Sequence, residues 1–159
     1  MASATGVHVV LVQPEIPPNT GSIARLCAAT ATPLHLIKPL GFSLDDRNLK
    51  RAGLDYWPYV DLAVHDDWEQ FASRATSLPA LYFSARAEAS YLHAPLVEDA
   101  ELYLVFGGET QGLPRSLLAA QRERTYRIPQ LTQHVRSLNL ANAVSIVLYE
   151  ALRQRGALG

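Results

Sequence analysis

Apolar and polar positions along this chain alternate between two periods. The run Val7 to Val12, VHVVLV, holds a single polar residue and reads as a buried strand. Thr20 to Ala29 follows as a helix, and Leu34 to Ile37 as a second short strand. Asp45 to Ala52 predicts a helix with Asp45 as N-cap and Gly53 just past its end. Further on come a strand over Val60 to Val64, a helix over Asp66 to Ala75, and strands over Ala80 to Ser84 and Leu102 to Phe106. Pro114 to Ala120 predicts a short helix, Thr125 to Ile128 a last strand, and Leu138 to Gln154 a closing helix. Apolar strands alternating with helices predict an α/β fold, a single domain over residues 1–159 whose mainly parallel sheet is flanked by helices on both faces.

The closing helix carries Leu140, Ala143, Val144, Ile146, Val147, Leu148, Ala151 and Leu152, which leaves little of its circumference polar. A helix apolar nearly all round is buried on more than one side. In a domain this small the second side is expected to be a partner subunit, which predicts a homodimer.

Composition narrows the class. A chain of 159 residues that is 48% hydrophobic and 18% charged buries a core of its own and has no disordered tract. No apolar run is long enough to span a bilayer, and MASATGVHVVLVQ has no basic leader, so a cytoplasmic protein with no membrane role is expected. Cys27, the only cysteine, sits among alanines and reads as a small buried hydrophobe. His8, His35, His65, His93 and His134 have no ligand spacing, so no metal is expected. A net charge of −1 argues against bulk electrostatic binding of nucleic acid. The basic residues are nevertheless clustered, with Lys38, Arg47, Lys50 and Arg51 early and Arg122, Arg124 and Arg127 late. These are patches for phosphates or, equally, solvated helix faces.

Three segments carry candidate chemistry. In PPNTGSIAR (Pro17 to Arg25) the prolines end the strand's continuation and Asn19 is a favoured N-cap. Gly21 admits a close approach to the first turn, and Arg25 lies about a turn and a half from Asn19, so both are expected to face one ligand. The plain alternative is a capped helix whose arginine pairs with a surface acid. In FGGETQGLP (Phe106 to Pro114) a strand ends, Gly107 and Gly108 open the backbone, and Pro114 is expected at the first helical position. Ligands of α/β sheets gather beyond such strand ends. The segment lacks the Lys-Ser/Thr of a P-loop and is not GxGxxG. Glu109 is expected to hold a ribose hydroxyl or orient Arg25, or else to be a solvated loop carboxylate. In the third segment, Ile128 to Asn142, Ser137, Asn139 and Asn142 cluster at a helix start. They offer small donors and acceptors to a ligand. The plain alternative for Ser137 is an N-cap, which does not exclude ligand contact. Asn139 and Asn142, set in an apolar helix, are expected to need partners.

Taken together and in this order, the three segments resemble the tRNA 2′-O-methyltransferases of the SPOUT superfamily, most closely the small branch acting on the wobble nucleotide, a cytidine or modified uridine. The resemblance covers nearly the whole chain. It implies a C-terminal trefoil knot, a homodimer with sites at the subunit boundary, S-adenosyl-L-methionine as cofactor, and the tRNA anticodon stem-loop as partner. It places cofactor contacts on Phe83, Ser84, Gly107, Gly108, Ile128, Ser137, Leu138 and Asn142, and catalysis on Arg25 with Asn19, Glu109, Ser137 and Asn139. LTQHV, between Gln130 and Arg136, is a residue longer than the family's usual loop.

The implied reaction is in-line attack of a ribose 2′-hydroxyl on a sulfonium methyl, which rewards alignment and removal of the hydroxyl proton. The family assignment has Arg25 activate that hydroxyl. A guanidinium holds its proton too tightly to serve as a base, so Arg25 is expected to orient a phosphate or stabilise the developing alkoxide. Competing readings are the same chemistry on another tRNA or rRNA site, a non-catalytic RNA-binding module, and a nucleotide-binding protein using Gly107 and Gly108 for phosphates.

Overall fold

The computed structural model describes residues 2–53, 55–73 and 78–159. Within them seven strands form one sheet: β1 (Val7–Val12), β2 (Leu34–Ile37), β3 (Leu62–His65), β4 (Ala80–Phe83), β5 (Ala89–Ser90), β6 (Leu102–Gly107) and β7 (Thr125–Arg127). Their order is β3-β2-β1-β6-β4-β7-β5, and every pairing is parallel. Parallel neighbours need crossover connections, which α1 (Pro17–Ala29), α2 (Arg47–Gly53), α3 (Trp68–Ala72) and α4 (Arg115–Ala120) help to supply, while α5 (Leu140–Gln154) follows the last strand.

Alternation along the strands sorts the core into two layers. Val7, Val9 and Leu11 of β1 face Ile23 and Cys27 of α1 and Val144, Val147 and Leu148 of α5. Val10 and Val12 face the other way, with Val105 of β6, onto Phe71 of α3 and Leu117 of α4. Burial pushes the Cys27 thiol well above its ordinary range, as befits a core residue. From β1 the chain crosses to β2 on one side, and from β6 to β7 on the other. The carboxyl ends of β1 and β6 therefore flank a topological switch point, the usual place for a crevice in a parallel sheet.

Several boundaries differ from the sequence expectation, each for a local reason. Pro17 and Pro18 open α1 and Ile16 is its N-cap, so Asn19 lies inside the first turn rather than capping it. Asp46, not Asp45, caps α2 by accepting from the Asn48 and Leu49 amides at 2.8 and 3.4 Å, and Gly53 is its last residue. A 3-10 turn at Trp57–Tyr59 delays β3 to Leu62. Asp67 caps α3, accepting from Gln70 N at 2.7 Å. Arg74 and Ala75 of the expected helix lie outside the described residues. Pro114 is the N-cap of α4 rather than its first residue. Asn139, not Ser137, caps α5, accepting from Asn142 N at 3.2 Å, and β5 had no signal in the sequence.

Three of the scattered histidines meet inside the sheet. His8 Nδ1 lies 3.1 Å from His35 Nε2, and His35 Nδ1 lies 3.1 Å from His65 Nε2. All three rings are buried on β1, β2 and β3. His8 Nε2 reaches Glu101 at 3.3 Å. A carboxylate only accepts, so with the rings neutral Glu101 fixes the His8 proton on Nε2 and makes His35 and His65 donate from Nε2 in turn.

Candidate active site

Two carboxylates interlock the loops that follow β1 and β6. Glu109 accepts from the Glu15 amide at 2.8 Å, the Ile16 amide at 2.7 Å and the Asn19 side chain at 3.2 Å. Glu15 reciprocates by accepting from the Thr110 amide at 2.6 Å. Three donors leave Glu109 little capacity for a ribose hydroxyl or for Arg25, so its place is that of a clamp on the start of α1. Sequence reasoning missed Glu15, whose partner lies 95 positions away.

The clamp sets the direction of a longer chain of bonds. Because Glu109 can only accept, Asn19 turns its Nδ2 toward it and leaves its Oδ1 to accept from Asn139 Nδ2 at 3.1 Å. Asn139 Oδ1 then accepts the Asn142 amide. The three sequence segments are thus tied into one hydrogen-bonded line.

The glycines serve close backbone approach. A Cβ on Gly107 would strike the backbone of Gly112 and Leu113, because the loop folds back on itself. Gly112 donates to the Gly108 carbonyl at 3.0 Å and holds a φ of +67°, which glycine adopts without strain. Gly21 also permits a close approach, but of α2 rather than a ligand: a Cβ there would strike that of Ala52.

These loops enclose a cavity of about 490 Å³ beyond the carboxyl ends of β4 and β6. Asn19, Phe83, Ser84, Gly107, Gly108, Glu109, Ile128, Ser137, Leu138 and Asn139 all line it. Phe83 and Phe106 stack at 5.1 Å to form an apolar wall. Arg86 and Arg136 add cations that had not been assigned to the site. Two expected residues do not line it. Asn142 is exposed, and so is Asn139, so neither faces the burial penalty expected of them. Arg25 is exposed too: its guanidinium carbon stands 4.7 Å from the centroid of the Tyr56 ring and its Nη2 3.4 Å from the Tyr56 hydroxyl. Among the described residues no carboxylate pairs with it. The loop at 131–135 leaves Leu131 fully exposed, closed at its base by Gln130 donating to the Val135 carbonyl at 2.9 Å.

A cavity of this size, with an apolar wall and loops of exposed backbone, suits a cofactor of a few rings and a polar tail. No group of histidine, cysteine and carboxylate side chains suited to a metal ion occurs among the described residues, and no helix among them is long and apolar enough to cross a membrane.

A parallel sheet with such a cavity beyond its strand ends is the arrangement in which α/β enzymes bind their ligands. The chain belongs to the SpoU rRNA Methylase family, whose profile matches residues 6–149, and it is a methyltransferase. It is 49% identical over 156 residues to the tRNA (cytidine(34)-2'-O)-methyltransferase of Burkholderia cenocepacia, covering 96% of this chain and 97% of that one. A solved structure from work on the 2-OH methylation of C/U34 on tRNA superposes with a TM-score of 0.84 at 51% identity, covering 95% of this chain and 97% of the other. The AdoMet-bound rRNA methyltransferase of Sinorhizobium meliloti gives a TM-score of 0.81 at 26% identity, over 93% of this chain and 56% of that one.

Proposed function

We propose that this enzyme methylates the ribose 2′-hydroxyl of the wobble nucleotide of tRNA, a cytidine or modified uridine, using S-adenosyl-L-methionine. The observation that carries the reading is the single cavity shared by the Gly107–Leu113 and Ile128–Asn139 segments. Relatives at about half identity over nearly their whole length, named for this reaction, support it.

When bound, S-adenosyl-L-methionine supplies an electrophilic methyl group. Phe83 and Phe106 offer an apolar wall to its base, and Ser84, Gly107, Gly108, Ile128, Ser137 and Leu138 offer polar or backbone groups around it. Asn142 acts at one remove, through the amide that holds Asn139. Glu109 positions Asn19, and Asn19 positions Asn139 beside Ser137, so that these groups would hold and orient the ribose of a bound RNA. Arg86 and Arg136 supply positive charge near the cavity for the anticodon stem-loop backbone.

Arg25 lies outside its own chain's cavity, so we read the site as completed across a subunit boundary, where Arg25 meets a phosphate or the developing alkoxide. The exposed stripe of Ile146 and Tyr149 on α5 supports a second copy as its cover. The threaded C-terminus implied by the family resemblance belongs to the same reading, supported by the two loops lining one cavity.

Transfer of labelled methyl to unmodified and native tRNA pools, followed by digestion and mass spectrometry, tests the function. The expected product is a 2′-O-methyl nucleotide at the first anticodon position. A product elsewhere in tRNA moves the substrate, and no transfer to tRNA despite cofactor binding removes the reading. Arg25→Lys keeps the charge but loses the planar fork, and near-normal turnover in that variant would sink the positioning role of Arg25.

A further inference from the structure

We propose that Tyr56 is a positioning residue for this reaction: it holds the Arg25 guanidinium against its ring and leaves most of the N–H donors of that group for a substrate oxyanion. The proposal rests on the functional reading above, and the resemblance to known enzymes did not mark this tyrosine.

The placement follows from the chain's own packing. Gly21 and Arg25 are four residues apart on α1 and so share a face. The absence of a Cβ at Gly21 lets α2 lie directly on that face, where Ala52 and the Leu49 carbonyl would otherwise collide with it. The 3-10 turn at Trp57–Tyr59 also lies against α1. There Trp57 packs against the core and anchors the turn, while Tyr56 remains 39% exposed with its ring beside Arg25.

Two features mark this contact as more than casual packing. Arg25 has no carboxylate partner among the described residues, so its charge remains available to an anionic ligand. A neutral ring restrains the guanidinium without cancelling that charge, which an aspartate or glutamate in the same place would do. An exposed cation–π contact contributes little to folding, but it strengthens when water is excluded. Docked RNA excludes water, so the effect belongs to the reaction rather than to stability.

The test uses the full chain with Tyr56→Phe, Tyr56→Leu, Arg25→Lys and the Arg25→Lys/Tyr56→Leu double variant. Single-turnover methyl transfer to tRNA, affinity for S-adenosyl-L-methionine and thermal midpoint are measured for each. Tyr56→Leu is expected to slow transfer about tenfold with affinity and midpoint unchanged, and Tyr56→Phe, which keeps the ring, to recover most of that loss. In the Arg25→Lys background, where the flat guanidinium is gone, Tyr56→Leu is expected to cost less than about twofold. An undiminished tenfold loss in that background overturns the proposal, because Tyr56 would then act independently of Arg25. So does the absence of any loss in Tyr56→Leu, or a loss that follows cofactor affinity or midpoint. A wild-type chain that transfers no methyl group overturns the functional reading and this one with it, whereas an active wild type with independent losses overturns this one alone.

Discussion

Asn139 donates its side-chain amide to the Oδ1 of Asn19 at 3.1 Å, across 120 positions of sequence. The bond joins the cap of α5 to the first turn of α1. Its direction is imposed by Glu109, which forces Asn19 to donate on its other side. Asn19→Asp replaces that donor with a carboxylate oxygen facing Glu109. Transfer is expected to fall at least tenfold, with S-adenosyl-L-methionine affinity changed less than about threefold, because the substitution strikes the substrate side. Isothermal titration alongside initial rates checks this; equal losses in both would assign Asn19 to cofactor binding.

Glu109→Gln tests the clamp. An amide presents one acceptor oxygen where the carboxylate presents two, so one of the Glu15 and Ile16 amides loses its bond. The expected cost is about 1–3 kcal/mol, the usual penalty for a lost charge-assisted bond, seen as a lower urea midpoint. Unchanged stability with abolished transfer would instead make Glu109 a group that meets the substrate.

Gly107→Ala forces a methyl group into the backbone of Gly112 and Leu113. The loop has to open, so S-adenosyl-L-methionine binding is expected to weaken at least tenfold while far-ultraviolet circular dichroism keeps its native form. Wild-type affinity in this variant would show that the loop does not shape the cofactor site.

Stability should depend on pH through the buried His8. Burial holds His8 below its ordinary value of 6.5, with Glu101 pulling more weakly the other way. In the unfolded chain the ring regains that ordinary value. As pH falls below about 6.5 the unfolded state therefore takes up a proton first, and stability present above that pH is lost toward the folded-state value. Thermal midpoints are expected to be flat between about pH 7 and 8 and to fall below 6.5, with a shallower fall in His8→Gln. An identical slope in that variant would assign the effect to other groups.

Ile146→Glu places a charge on the exposed stripe of α5, where Ile146 is 37% and Tyr149 44% exposed. If a second copy covers this stripe, the variant is expected to run as a monomer in light scattering and to lose transfer together with dimerisation. A wild-type chain that is already monomeric would remove the subunit-boundary reading of Arg25.

Strand and helix order was legible because each element has its own period. VHVVLV is apolar on both faces because β1 is covered on both faces, and α5 shows its apolar stripe directly. Element ends were less legible. Whether Asn19 or Ile16 caps α1 depends on two prolines occupying the first turn, and Asn139 rather than Ser137 caps α5 because its side chain is the one that accepts the Asn142 amide.

What the sequence determined by itself was the α/β class, the three polar segments and the family they resemble, because periodicity and glycine placement are local properties. Tertiary structure alone decided what those residues do to one another. It turned Glu109 into a clamp, gave Gly21 to helix packing, kept Arg25 out of its own chain's cavity and beside Tyr56, and stacked three unrelated histidines into one line. The physical reason is that hydrogen-bond saturation, close contact and burial depend on neighbours in space. Those neighbours lie tens of residues away in the chain, where no local pattern records them.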